Sequence, residues 1–491
     1  MSEIFYSQII SAQDGNLIPL CKNRATNQEV ALHSKYNPVR EAEAFAATVN
    51  DDCLFFVVLG LGGGYHIEKL IEKVPASKIL VVETSKSSLS FLEQIPTVKK
   101  ISGKKNIIMT SIENLEETLL FSYKPALHGN LTILSLRSWE GFFKEEASLA
   151  REKINAAIKL LAADYSVQSH FGKIWQKNIL TNLSLAERAK SFSEIKKALF
   201  PILSRKKAAI IAAGPSLDDS IKELKKNRGE YFIIATDTAF SALEKQGLSC
   251  DAVISIDGQS ISRAHYQGKL PSDTIYFFDL CACPSAIRKV LTKSENLVLT
   301  ESGHPLAQYA SFFSGKQNFP HIEAGSGTVT IAAYSLAKKI GFKDTVFFGA
   351  DFAYFSGRPY TRGTYLENQF YSTSNRFKTA EKAYTALTYR TPVIKLAGNK
   401  ITTEILEAYR LSLNDFIHKP RQKTSEAEEG RFNLRDFKEK YRKELKKAFS
   451  NENDFDENSP AVMTLLPLCA KLGKNSAFLA YLNTLRYTEQ V

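Results

Sequence analysis

Six short apolar runs punctuate the middle of this chain, at 208–213, 232–235, 252–256, 275–278, 297–299 and 345–348, and segments of helical spacing lie between them. Buried strands alternating with helices in this way demand a doubly wound α/β sheet. Five of the runs end in small polar residues: Gly214-Pro215-Ser216, Thr236-Asp237-Thr238, Asp257-Gly258, Glu301-Ser302-Gly303 and Gly349-Ala350-Asp351. Ligands of such sheets bind at the carboxyl ends of the strands, so these five loops are where function is expected.

The turn after the first run is the most informative. Gly214 lacks a Cβ and lets a ligand near the backbone, Pro215 presets φ for a helix, and Ser216 brings a hydroxyl to unpaired amide donors. Leu217, Ile221 and Leu224 then take up helical spacing. An anion is the expected guest. The loop Gly325-Ser326-Gly327-Thr328 opens the helix at 329–339 and forms a second anion cradle. Asp237, Asp257 and Asp351 are expected to converge on one rim, with Thr236 and Thr238 beside the first. Asp218, Asp219 and Asp344 are expected only to cap helices.

At 491 residues the chain exceeds one hydrophobic core. An N-terminal Rossmann-like α/β domain is expected over 1–140. There a buried run at 53–59 enters Gly60-Leu61-Gly62-Gly63-Gly64, and a second strand at 79–82 ends at Glu83, which suits a nucleotide or methyl-donor site or a degenerate copy of one. A helical connector follows over 141–205, with His170 structural and Trp175 and Asn178 packing or capping locally. The central domain spans 206–400. Its stretch at 355–397, polar and aromatic without clear periodicity, is expected to form a lid. A C-terminal helical region takes 401–491, where Ile405, Leu406, Tyr409, Leu413, Phe416 and Ile417 form one stripe, and 419–430 is expected to be a linker.

A net charge of +12 favours acidic partners, whether an anionic sugar nucleotide, nucleic acid or a membrane surface. Mixed Glu and Lys at 435–447 suit a solvated helix face rather than a nucleic-acid patch. No apolar stretch has the length of a membrane span and no signal peptide is visible, so a cytoplasmic protein with reduced thiols is expected. Cys281-Ala282-Cys283 lacks a second pair at zinc spacing, and Asp454-Phe455-Asp456 lies away from the rim, so no metal site is expected.

As an ordered set, Gly214-Pro-Ser-Leu-Asp218, Asp237, Asp251-Ala-Val-Ile-Ser-Ile-Asp257, Gly325-Ser-Gly-Thr-Val329, Lys343-Asp-Thr-Val-Phe-Phe-Gly-Ala-Asp-Phe352 and Thr402-Thr403 resemble the motility accessory factor (Maf) family over roughly residues 30–420. These are flagellin nonulosonic-acid transferases whose central domain is similar to that of bacterial sialyltransferases. The resemblance implies a central sheet of sialyltransferase type, no cofactor, and a CMP-activated pseudaminic- or legionaminic-type sugar as donor. It also implies serine or threonine of flagellin as acceptor, a part in flagellum assembly, and no nucleic-acid partner.

Tyr354 and Tyr360 would hold the leaving phosphate without a metal, and Arg358 and Arg362 would add positive charge. Two positions depart from the pattern. Ala213 stands where a small polar residue, often asparagine, precedes the turn, and Leu396-Ala-Gly-Asn-Lys-Ile401 lacks the expected general-base histidine. The acceptor proton would then go to Asp257 or Asp351. Alternatives are a hydroxymethylpterin pyrophosphokinase-like transferase using ATP and Mg²⁺, and a non-catalytic flagellin-binding assembly factor. Neither the sugar nor the oligomeric state is legible.

Overall fold

The computed structural model describes residues 4–325, 327–355, 357–418, 428–451, 454–473 and 476–491. It divides into two compact units, Met1–Gly172 with Leu466–Ala477, and Lys173–Leu465 with Phe478–Val491. The stretch expected as a connector opens with a single 40-residue helix, Lys144–Leu183, whose residues are shared between the two units.

The first unit begins with an antiparallel sheet that the sequence reading does not anticipate: β1 (Ile4–Ser11), β2 (Leu17–Asn23) and β3 (Glu29–Ala31). A parallel sheet follows, made of β4 (Phe55–Leu59), β5 (Lys78–Glu83), β6 (Ile107–Ser111) and β7 (Leu131–Ser135) in the order β6-β5-β4-β7. Every residue of β4 is buried because both faces are covered, so the strand is continuously apolar rather than alternating. Phe55, Val57 and Leu59 pack with Trp139 and Phe143 on one side, and Phe56 and Val58 with Ile67, Leu70 and Val98 on the other.

The second unit is built on six parallel strands: β8 (Lys207–Ile211), β9 (Tyr231–Thr236), β10 (Ala252–Ser255), β11 (Ile275–Asp279), β12 (Leu297–Thr300) and β13 (Thr345–Phe348). All six match the apolar runs to within two residues. Their order is β12-β11-β10-β9-β8-β13, so the chain winds outward from β8 and then returns to its other side. Alternate residues Ala208, Ile210, Phe232, Ile234, Ala252 and Ile254 form one core with Ala332, Ala333, Leu336, Ala337 and Ile340 of the helix Val329–Ile340 and with Phe192 and Ile195. That helix leads back into the start of β13, so its N-terminus lies at the carboxyl edge of the sheet.

The excursion after β13 is more ordered than its sequence suggests. It holds β14 (Tyr354–Phe355), helices Tyr365–Ser372 and Ala380–Thr388, β15 (Ile394–Lys395) and β16 (Lys400–Thr402), the three strands forming an antiparallel sheet in the order β14-β16-β15. Thr403 Oγ1 accepts from the Leu406 amide and opens the helix Glu404–His418, as the sequence requires of an N-cap. Of the stripe expected on that helix, only Leu413 is buried. Most of the expected linker, residues 419–427, lies outside the described residues. The helix Leu434–Ala448 buries Phe437, Tyr441, Leu445 and Ala448 and presents its lysines outward, a solvated face.

Candidate active site

The order of the second sheet reverses between β8 and β13, and that is where the Gly-Pro-Ser turn and Asp351 meet. Gly214 N–H donates to the Gly349 carbonyl over 2.8 Å. A Cβ on Gly214 would stand 2.3 Å from Asp351 Oδ2 and 2.4 Å from that carbonyl, and one on Gly349, at φ +67°, would stand 2.3 Å from the Ala212 carbonyl. Two glycines therefore let two loops pack backbone to backbone. Pro215 is buried and Leu217 opens the helix Leu217–Lys226. Phe352, directly after Asp351, is held at φ +47°, a strained conformation of the kind that clusters at functional loops.

The amide and hydroxyl of Ser216 both bind the Asp351 carboxylate. The anion at this helix start is thus supplied by the chain itself, which leaves Asp351 a clamp between loops. Asp218 does not cap the helix, as its position suggests. It accepts from Arg358 Nη1 at 3.0 Å, the Arg362 amide at 3.0 Å and Thr361 Oγ1, and lies 3.7 Å from Arg362 Nε. Arg358 and Arg362, expected to serve the ligand's charge, are engaged by this carboxylate, which fastens the excursion to the rim. A further tie is Thr361 N–H to the Ala213 carbonyl, 2.9 Å.

The other half of the rim follows β9 and β10. Thr236 caps the helix Asp237–Lys245. Asp237, only 2% exposed, accepts from the Thr238 amide (2.7 Å) and hydroxyl (3.2 Å) through Oδ1 and from Ser255 Oγ (2.7 Å) through Oδ2. Asp257 accepts from the Gln259 amide at 2.9 Å, and burial, helped by the Asp237 charge, raises its carboxyl above the usual range. Neighbouring strands lie about 4.8 Å apart, so the loops after β10 and β13, three spacings apart, are roughly 14 Å from each other. Asp257 and Asp351 share a rim but not a reacting atom.

Tyr360 comes to the Asp237 side of this rim. Burial raises its phenol first, then the proximity of Tyr354, Tyr365 and Asp237, with Arg390 opposing. Burial also raises Tyr354, again with Arg390 opposing. Both phenols therefore stay protonated at neutral pH and can donate to an anion. Sequence reading missed Tyr365, Arg390 and His265, because the first two lie in the aperiodic stretch and the last on a seven-residue turn. Gly325 (φ +54°) and Gly327 (φ +86°) turn the loop before the helix Val329–Ile340, whose N-cap is Thr328, so this loop does reach the carboxyl edge. Ser326 lies outside the described residues.

In the first unit the glycine loop is filled by the protein's own rings. Added Cβ atoms would stand 2.6 Å from Trp139 at Gly60, 2.5 Å from His33 at Gly62 and 2.7 Å from Tyr65 at Gly63. Glu83 is fully buried and accepts from the Leu61 amide, the Thr84 amide and Trp139 Nε1 at 3.1, 2.8 and 2.9 Å. The carboxylate that would bind a ribose is thereby used within the fold. Asn178, expected to act locally, instead donates across the second unit to the Gly258 and Cys281 carbonyls at 2.9 and 3.0 Å.

Residues 177–357 match the family described as 6-hydroxymethylpterin diphosphokinase MptE-like. Two uncharacterized proteins of Treponema pallidum (strain Nichols) are 38% identical over 169 residues and 40% identical over 146 residues, which cover 34% and 29% of this chain. The chain spans 59% and 66% of the length of these relatives. A third from the same organism is 27% identical over 212 residues, 42% of this chain and 35% of its own. Among solved structures, the Maf glycosyltransferase from Magnetospirillum magneticum AMB-1 aligns with 99% of this chain and 85% of its own at 13% identity and a TM-score of 0.49. No helix among the described residues is long and apolar enough to cross a membrane.

Proposed function

We propose that this protein is a glycosyltransferase that moves a nonulosonic acid, of pseudaminic- or legionaminic-acid type, from its CMP-activated form to serine or threonine hydroxyls of flagellin, acting in the cytoplasm before export. The observation that carries the reading is the grouping of Tyr354, Tyr360 and Tyr365, with Tyr360 close to Asp237 and Tyr365 close to Asp237 and Asp257, along the carboxyl edge of a parallel sheet whose order reverses at β8. Such a reversal is where open α/β sheets hold nucleotides. Asp237 and the Gly325–Thr328 loop would hold the nucleotide, beside the Gly-Pro-Ser turn, whose own donors Asp351 occupies.

The chemistry follows from the side chains. When the sugar–phosphate bond breaks, negative charge collects on one phosphate, and protonated phenols aimed at it stabilise that charge more in the transition state than in the ground state. Tyr354 and Tyr360 would do this, with Arg390 as a nearby cation. Because Asp351 is held by Ser216, the acceptor proton leaves on the Asp257 side. Intact mass of flagellin from a strain lacking this protein tests the reading. Loss of a nonulosonic-acid mass is expected, and an unchanged glycan would sink it.

A second reading is favoured by the match to the MptE-like family, a diphosphokinase-like transfer from ATP with Mg²⁺. That match ends at residue 357, before Tyr360, Tyr365 and Arg390, so it covers the frame common to both readings and not the residues that separate them. Thermal shift decides between them: stabilisation by CMP or CTP supports the glycosyltransferase, and stabilisation by ATP-Mg²⁺ alone supports the kinase.

A further inference from the structure

One titratable side chain at this rim has no evident part in holding the fold. His265 sits on the 3-10 turn Ser260–Tyr266, which follows β10 just after Asp257 and Gly258. The turn is fastened to the strand end by Ser262 Oγ, which donates to the Asp257 carbonyl over 3.3 Å. His265 is only 5% exposed, and its Nδ1 is closed to solvent with no hydrogen-bond partner among the described residues. Unpaired polar atoms in an interior oppose folding and are rare in native proteins. Tyr365, the first residue of a helix in the excursion, stands edge-on to the imidazole with ring centroids 4.7 Å apart and planes at 84°.

The neighbourhood is that of the proposed reaction. Burial first, and then the charges of Asp257 and Asp237, raise the Tyr365 phenol, and His265 acts on the Asp257 carboxylate in the opposite sense to burial. An imidazole with an unpaired nitrogen, a half-buried carboxylate near it and an aromatic ring edge-on to it are the parts of a covered proton acceptor.

We propose that His265 takes the proton of the acceptor hydroxyl, and that Tyr365 covers the imidazole until the acceptor enters. This rests on the glycosyl transfer proposed above. The acceptor O–H bond breaks and its proton passes to the neutral imidazole. The oxygen's electron pair forms the bond to the anomeric carbon, and the bond from that carbon to the phosphate oxygen breaks, CMP leaving with the pair. The Asp257 carboxylate stabilises the imidazolium so formed, and the phenols of Tyr354 and Tyr360 donate to the departing phosphate.

The test uses the full chain with CMP-activated nonulosonic acid and flagellin, following transfer by intact mass and CMP binding by calorimetry. In His265→Gln, kcat is expected to fall on the order of 100-fold or more while KM for the donor and Kd for CMP stay within about threefold. Added imidazole is expected to restore part of the rate in His265→Ala. A His265→Gln rate within about threefold of wild type, or a loss matched by weaker CMP binding, overturns the assignment while leaving the transferase reading intact. A wild-type protein that neither binds CMP nor transfers the sugar overturns both.

Discussion

Ser216 grips Asp351 twice, its amide donating to one carboxylate oxygen over 2.8 Å and its hydroxyl to the other over 2.5 Å, across 135 residues of sequence. Each bond has an ionised acceptor, and removing such an acceptor costs about 1.5–3 kcal/mol. Asp351→Ala is therefore expected to lower the free energy of unfolding by at least about 1.5 kcal/mol. Asp351→Asn keeps one acceptor oxygen and should lower it by less. Urea denaturation of the two variants beside wild type measures this, and an Asp351→Ala protein as stable as wild type would contradict the clamp.

Gly214→Ala probes the same junction from the backbone side. Its new Cβ would fall 2.3 Å from Asp351 Oδ2 and 2.4 Å from the Gly349 carbonyl, and no rotamer change relieves the main-chain clash. The two loops must part. CMP affinity measured by calorimetry is expected to drop by about tenfold or more, equivalent to about 1.4 kcal/mol.

Asp218→Ala should release the excursion without touching the sheet. Arg358, Thr361 and Arg362 all bind this one carboxylate, whose side chain is 20% exposed. Trypsin is expected to cut after Arg362 about tenfold faster in the variant, because local opening governs cleavage there, whereas Arg358 precedes Pro359 and is not cut. Equal rates would mean the anchor lies elsewhere.

Asp279 makes stability depend on pH. It is fully buried at the end of β11, one oxygen accepting from the Cys281 amide at 2.7 Å and the other unpartnered among the described residues, and burial pushes its carboxyl up to about 6. The native state then keeps a proton that the unfolded chain, titrating near pH 4, gives up. This contribution is complete below about pH 4 and is lost as pH rises through about 6, a span worth about 3 kcal/mol. Asp279→Asn should flatten that slope in urea denaturation at pH 4, 5, 6 and 7.

The filled glycine loop of the first unit predicts no response to dinucleotides or to S-adenosylmethionine. Trp139 occupies the space over Gly60, and its indole N–H is committed to Glu83. Titration with NAD or S-adenosylmethionine is expected to give no heat and no change in tryptophan emission. A measurable affinity for either would mean that Trp139 and Glu83 give way.

The six central strands were legible because buried parallel strands have to be apolar throughout, and the rim loops because small polar residues must end them. The antiparallel strands β14 to β16 were not, since two or three residues carry no period. Asp218 looked like a helix cap by position, and nothing local in the sequence reveals that its partners lie 140 residues on. The same holds for Asn178 and His265, whose surroundings are set by elements distant in the chain. The glycine loop at Gly60 carried a binding signature in its composition, yet close approach serves a protein's own indole as readily as a cofactor.

Gly172 has no room for a side chain, because a Cβ there would lie 1.7 Å from the Pro467 carbonyl oxygen, one main chain resting on another within the first unit. That unit needs Leu466–Ala477 to be whole. During synthesis, then, the residues up to Gly172 must wait for Leu466–Ala477 to follow. A ribosome stalled before residue 466 would hold a nascent body with an open apolar seam, the kind of species that chaperones retain.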